Sequence, residues 1–240
     1  MMKIKSLLIA MMAICLTMGF TSCKDDKDDP VENNYTVYQK AVNETVKSQK
    51  KNGKAILLVA FGSTWEQAYD AFDATVEAYK SKFPGYDVYL SFSSAICINR
   101  AAAGENVDPR NFYAPPFWLN AFAQKGVQYS EIVVQSLQVI PGEEYTRVIN
   151  YIKDFANNSN GDIDDNYLAN VTLKLGVPLL QDAEADVNLV ASELNKLYNK
   201  QASEGVVAFM GHGNPDSYDT YKANIRYTQL EEALQQYSNN

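Results

Sequence analysis

The feature that most constrains the fold is a regular alternation of apolar runs with helical patterns. Apolar runs at residues 55–61, 86–92, 131–139 and 170–180 are typical of strands buried in a parallel sheet. Helical segments lie between and after them; in the first, Trp65, Ala68, Phe72 and Val76 recur every three or four positions. The sequence therefore predicts an α/β domain with a doubly wound parallel sheet flanked by helices. The loops after the carboxyl ends of the strands would form its functional edge.

The composition supports a globular domain and excludes some partners. Apolar residues make up 46% of the 240 residues and charged residues 21%, which is sufficient for a hydrophobic core. The net charge of −8 argues against nucleic acid and anionic membrane surfaces as partners, since both attract basic patches.

The amino terminus has the order of a secretory signal. Lys3 and Lys5 precede an apolar run over residues 7–20, and small residues precede Cys23. The run is too short to span a bilayer. Cys23 followed by acidic residues resembles a bacterial lipoprotein signal, so we predict a signal peptide over residues 1–22 and lipidation of Cys23. The protein would then be exported and membrane-anchored, on the periplasmic side or at the cell surface. Ordinary secretion with a free Cys23 is the alternative, and Cys97 between two isoleucines is predicted to be a buried thiol.

The remaining chain divides into three parts. Residues 23–52 begin with a polar, acidic stretch and are predicted to form a flexible tether. Residues 53–203 hold the α/β domain. At residues 204–240 the pattern restarts, because "VVAFMGHGN" is similar to "ILLVAFGST", which predicts the first strand–helix unit of an incomplete second domain. A strand at residues 205–210 would need a neighbour, either the edge of the first sheet or a second copy of the chain in a homo-oligomer.

His212 is the only histidine of the chain and lies between Gly211 and Gly213. A parallel strand delivers its last residues to the ligand crevice, and flanking glycines leave room for a group to approach the imidazole. A neutral imidazole is a common metal ligand and a proton acceptor near neutral pH. The alternative is a histidine on a surface turn, hydrogen-bonded to a neighbour.

Two further motifs follow predicted strands. Glu143 and Glu144 come after the third strand and are candidate partners of His212 at a metal, since one imidazole does not make a metal site. One of them would otherwise complement the dipole of the next helix. The turn at residues 61–64, "FGST", precedes a helix and could hold an anion, but Ser63 or Thr64 as an ordinary helix cap is favoured.

The segments "LLVAFGST", "VVQSLQVIPGEEYTRV", "LGVPLL" and "VAFMGHG" occur in this order from about Lys54 onward. With them the chain resembles the class II tetrapyrrole chelatases, and most closely the anaerobic sirohydrochlorin cobaltochelatases of cobalamin biosynthesis. The resemblance implies two similar α/β halves with a tetrapyrrole in the cleft between them. It also implies that Co²⁺, or another divalent metal, is held by histidines and a glutamate and inserted as pyrrole protons leave. His212 and Glu144 match the metal-binding and catalytic positions.

The chain also departs from the family pattern. Gln138 stands where some relatives carry a histidine, a second histidine of the family's second half has no counterpart, and most of that half is absent. A metal would then have two side-chain ligands at most, and the cleft would lack one wall. These departures leave open a chelatase, a fragment of one, or an exported lipoprotein that binds a tetrapyrrole or a metal without turnover.

Overall fold

The computed structural model describes residues 31–104 and 109–237. Its strands are β1 (Lys54–Ala60), β2 (Asp87–Phe92), β3 (Glu131–Ser136) and β4 (Thr172–Gly176). Its helices are α1 (Val31–Gln49), α2 (Glu66–Lys82), α3 (Ala95–Ala103), α4 (Pro115–Ala123), α5 (Glu143–Ala156), α6 (Asp165–Asn170), α7 (Ala185–Glu204) and α8 (Ile225–Gln235), with a 3₁₀ turn at Asp216–Tyr218 before α8. The predicted signal peptide and Cys23 lie outside the described residues.

The four strands form one parallel sheet in the order β2-β1-β3-β4. β1 is central, and its residues after Lys54 are all buried, because helices cover both faces of the sheet there. The α/β fold class with a parallel sheet flanked by helices is thereby confirmed.

Alternate residues of β1 point to two separate cores. Leu57 and Val59 face a core shared with α1, α4 and α5, to which α4 contributes six of its nine residues. Ile56 and Leu58 face the opposite side, where α2 packs. The period-two alternation of a strand thus distributes one continuous apolar run between two layers of helices.

Helix α1 occupies most of the segment predicted to be a flexible tether. Val42 and Val46 are fully buried against the first core, and Tyr38 packs at its margin. Gln39 Nε2 donates a 2.9 Å hydrogen bond to the carbonyl oxygen of Phe117 in α4. The expectation of a tether over residues 23–52 therefore does not hold from Val31 onward. A narrow apolar stripe at four-residue spacing, within a polar sequence, is enough to dock the helix.

The carboxyl-terminal part differs from the predicted strand–helix unit. Residues 206–210 form no strand, and Val206 and Met210 are 96% and 100% exposed. Helices α7 and α8 instead pack on each other around Leu180 and Ile140, from the loops that follow β4 and β3. The segment after residue 210 crosses the carboxyl end of β3, so the apolar run is not held alongside β4, where it could pair.

Among the residues that the structure describes, no helix has the length and apolarity required to cross a membrane.

Candidate functional site

The strand order places the reversal of winding between β1 and β3. In doubly wound sheets, ligands bind in the crevice outside the carboxyl ends of the strands at this point. The turn at residues 61–64 follows β1, the loop at residues 137–142 follows β3, and Leu137 N–H donates to Val59 O at 2.9 Å. The candidate site is therefore the edge of the sheet where these two segments lie.

The turn after β1 is shaped by Gly62, which has a φ of +118°. A Cβ at this position would lie 2.8 Å from both the Phe92 ring and Cys97 Cβ, so only glycine fits. The predicted cap by Ser63 or Thr64 is not made, because α2 begins one residue further on, with Trp65 at its N-cap and no side-chain cap bond. Ser63 Oγ accepts from the Trp65 N–H at 3.2 Å and tightens the turn instead.

The structure distinguishes the two glutamates at the start of α5. Glu143 is exposed and forms an ion pair with Arg147 at 3.8 Å. Glu144 is half-buried and makes no ion pair or side-chain hydrogen bond within the described residues. Both carboxylates complement the helix dipole in its first turn, but only Glu144 remains available to another group.

His212 is exposed in the loop before the 3₁₀ turn. Its Nδ1 lies 2.7 Å from the carbonyl oxygen of Gly213. A carbonyl oxygen only accepts, so this contact is a hydrogen bond of the tautomer that carries its proton on Nδ1. In that tautomer of the neutral ring, Nε2 is the nitrogen with a lone pair for a metal or a proton.

The two glycines beside His212 have separate structural causes. Gly213 has a φ of +69°, in the left-handed region. A Cβ on Gly211 would lie 2.4 Å from the ring of Tyr227 in α8, so only glycine allows the backbone of the loop to pack this closely against the ring. Both glycines thus determine the path of the chain at the histidine.

The His212 loop meets the turn that precedes Glu144. Asn214 Nδ2 donates to the carbonyl oxygen of Pro141 at 3.1 Å, and the Asn214 carboxamide fills the space that a Cβ on Gly142 would need. His212 lies two residues before Asn214, and Glu144 lies two residues after Gly142. From the Cα spacing, each is therefore at most about 7.6 Å along its own segment from the place where Asn214 packs on Gly142. The tertiary structure therefore brings the two predicted residues to the same edge of the sheet.

Gln138 occupies the loop after β3, where some relatives carry histidine. Its Oε1 accepts from Ser136 Oγ, and its Nε2 is buried without a partner among the described residues. In this orientation the amide offers a donor and not a ligand oxygen. The described residues contain no group of three or more histidine, cysteine, aspartate or glutamate side chains that could hold a metal ion. His212 and Glu144 are the two candidate ligands near this edge of the sheet.

The two candidate residues lie at the surface, His212 exposed and Glu144 half-buried. A cavity of about 590 Å³ lies at the other end of the sheet, where Gln39 and Asn43 of α1 face Gln124 and Gln128 before β3. Its amide-rich lining is remote from the loops that follow the strands.

Comparisons with known proteins match the same part of the chain. The family described as Cobalt chelatase (CbiK) matches residues 54–240, so α1 precedes the matched region. The sirohydrochlorin cobaltochelatase CbiKC of Nitratidesulfovibrio vulgaris is 30% identical over 178 residues, covering 72% of this chain and 57% of that protein. The sirohydrochlorin cobaltochelatase of Salmonella typhimurium is 26% identical over 164 residues, covering 67% of this chain and 54% of that protein.

The chain thus spans about half the length of the curated relatives that it matches. The family match covers the whole parallel sheet, the turn with Glu144 and the loop with His212. The chain therefore belongs to the cobalt chelatase family.

Proposed function

We propose that this protein takes part in the insertion of Co²⁺ into a sirohydrochlorin-type tetrapyrrole. The observation that carries the proposal is the meeting of the His212 loop with the turn before Glu144, in a chain of the cobalt chelatase family. Imidazole and carboxylate together form a donor set that suits divalent first-row metals such as Co²⁺.

Metal insertion into a tetrapyrrole requires a proton acceptor near the pyrrole nitrogens. When Co²⁺ binds the four ring nitrogens, two pyrrole N–H bonds break, and two protons leave as the cobalt–nitrogen bonds form. With Nδ1 of His212 hydrogen-bonded to the Gly213 carbonyl oxygen, Nε2 is the atom assigned to hold the incoming metal or to take one of these protons. The carboxylate of Glu144, which has no ion pair or side-chain hydrogen bond in the part of the chain that the structure describes, serves as the second ligand or the second acceptor.

Metallation of sirohydrochlorin by Co²⁺, followed by absorbance, tests this assignment. His212→Ala and Glu144→Gln are each expected to lower the enzyme-dependent rate by about 100-fold, the usual contribution of a positioned acid or base. Glu143→Gln is the matched control, because its carboxylate is exposed and paired with Arg147, and its rate should stay within about twofold of the wild type. Unchanged metallation by His212→Ala would exclude the proposed role. A spectral shift on mixing with the tetrapyrrole, without acceleration, would indicate a binding protein instead.

We also propose that two copies of the chain associate through residues 206–210. The exposed apolar run at residues 206–210 supports this, since an unpaired apolar segment is suited to association with another chain. Sedimentation velocity should show a concentration-dependent dimer that Met210→Asp weakens; a monomer at all concentrations would contradict the proposal.

We also propose that the protein is exported and anchored to the membrane through a lipid on Cys23. The support is the order of basic, apolar and small residues before that cysteine. Cells fed an alkyne fatty acid should label the wild type in the membrane fraction, whereas Cys23→Ser should be unlabelled. Equal labelling of the two forms would contradict the anchor.

A further inference from the structure

We propose that Asn214, Asp219 and Asn224, hereafter the Asn–Asp–Asn cluster, are positioning residues that hold His212 at the Glu144 turn. This inference rests on the proposed function of His212 and Glu144. It assigns a role to three side chains that neither the sequence motifs nor the family match singled out.

The first part of the cluster is a reciprocal pair between two asparagines. The Asn214 N–H donates to Asn224 Oδ1 at 2.7 Å, and Asn224 Nδ2 donates to the Asn214 carbonyl oxygen at 2.7 Å. The side-chain amide of Asn224 thus satisfies both backbone groups of Asn214, as a neighbouring strand would. This fixes the backbone of the loop two residues after His212.

The second part connects the loop to the sheet. The two hydrogens of Asn214 Nδ2 go to Pro141 O at 3.1 Å and to Asp219 Oδ1 at 3.2 Å. The carboxamide lies against Gly142, where a Cβ would come within 2.2 Å of Asn214 Oδ1. One side chain therefore determines how far the histidine loop stands from the start of α5.

Asp219 holds the far side of the cluster. Its Oδ1 accepts from the Ala223 N–H at 2.8 Å, and its Oδ2 accepts from the Asn224 N–H at 3.2 Å. Desolvation acts to raise the pKa of Asp219, but these hydrogen bonds and that from Asn214 outweigh it and lower the pKa. The carboxylate thus stays ionised and orients both asparagines.

A second contact joins the same loop to α5. Tyr221 OH lies 2.9 Å from Thr146 Oγ1, and the Tyr221 and Tyr145 rings are 6.3 Å apart. The loop is therefore attached at two places, the turn before α5 and the first turn of the helix itself. Within the described residues, by contrast, the His212 side chain bonds only to the adjacent Gly213.

The position of His212 relative to Glu144 thus depends on groups outside the reacting pair. A misplacement of about 1 Å between reacting groups costs about 100-fold in rate. The cluster is expected to act on the metal-insertion step and not on the affinity for the tetrapyrrole.

Asn214→Asp tests this with a one-atom change. The new carboxylate oxygen would face two acceptors, Pro141 O and the Asp219 carboxylate, and would break the connection without changing the side-chain volume. The matched control is Asn188→Asp, the same change at an exposed position of α7. Both variants are compared with the wild type in metallation rate at saturating tetrapyrrole, tetrapyrrole affinity and thermal melting.

A further readout comes from the single histidine, whose imidazole NMR signals need no assignment. Co²⁺ should broaden them in the wild type and in Asn188→Asp at the same metal concentration. In Asn214→Asp we expect the metallation rate to fall by tenfold or more and the broadening midpoint to rise, while tetrapyrrole affinity stays within about twofold.

The outcomes separate the two proposals. If His212→Ala is inactive but Asn214→Asp matches the control in rate and broadening, the cluster does not position the histidine. If His212→Ala metallates normally, the proposed function itself fails. Should Asn214→Asp not fold, Asn224→Asp removes only the bond to the Asn214 carbonyl, and it must show a smaller loss of the same kind for the inference to stand.

Discussion

Removing two valine side chains from α1 tests whether this helix belongs to the folded domain. Val42 and Val46 are fully buried, one turn apart, against the core that contains α4. Each Val→Ala change removes about two methylene equivalents, or about 1.6 kcal/mol of transfer free energy. The cavity left behind raises this to about 2–3 kcal/mol per site. The better helix propensity of alanine offsets about 0.5 kcal/mol of this loss at each site. We therefore expect the double variant to lose about 4 kcal/mol in free energy of unfolding.

Urea unfolding followed by circular dichroism measures this loss. With a slope of about 2 kcal/mol per molar urea, the midpoint should fall by about 2 M. Val37→Ala is the matched control, because it removes the same atoms from the same helix at a position that is 63% exposed. Its midpoint should move by no more than about 0.3 M, a change of about 0.5 kcal/mol. A double variant that unfolds like the control would refute the packing of α1 and would support a flexible tether instead.

Two other changes test the close approach of the chain at Gly211 to an aromatic ring and the ionisation of a buried carboxylate. Gly211→Ala should lower the free energy of unfolding by about 1–3 kcal/mol through overlap with the Tyr227 ring. Gly205→Ala, with nothing within 4 Å of its Cβ, should change it by less than about 0.5 kcal/mol; equal melting temperatures would contradict the close approach. Desolvation acts to raise the pKa of Asp87, but hydrogen bonds, foremost from the Tyr129 hydroxyl, outweigh it and hold the pKa below its ordinary 3.8. A carboxyl whose pKa is lower in the folded than in the unfolded state stabilises the folded state at pH values above its unfolded pKa. This contribution to the free energy of unfolding is lost as the pH falls through the pKa of the folded state. Urea midpoints of the wild type should therefore fall more steeply than those of Asp87→Asn below about pH 4, and parallel pH profiles would contradict this.

The sheet was predictable because strong local patterns coincide with it. β1 is apolar along both faces, and only a strand covered by helices on two sides can bury such a run. The helices at Glu66–Lys82 and Glu143–Ala156 follow from their apolar spacing. The family resemblance follows from motifs most of which run from a strand into the loop after it.

Two local patterns predicted structure that did not form. The polar sequence before residue 50 favoured a tether, although two buried valines suffice to dock α1 on α4. The apolar run at residues 206–210 favoured a strand, but strand formation requires a partner edge, and the loop that follows is held across the end of β3.

The sequence by itself determined the class of fold, the family and the two residue types at the candidate site. Each of these is encoded locally, in a periodicity or in a short motif around His212 and Glu144. Only the tertiary structure decided which glutamate has no ion pair among the described residues, since Glu143 reaches Arg147 one turn further along α5 and Glu144 does not. It also decided that the two motifs meet, because Asn214 bonds to Pro141 across 73 positions of the chain, and no local pattern encodes a contact of that range.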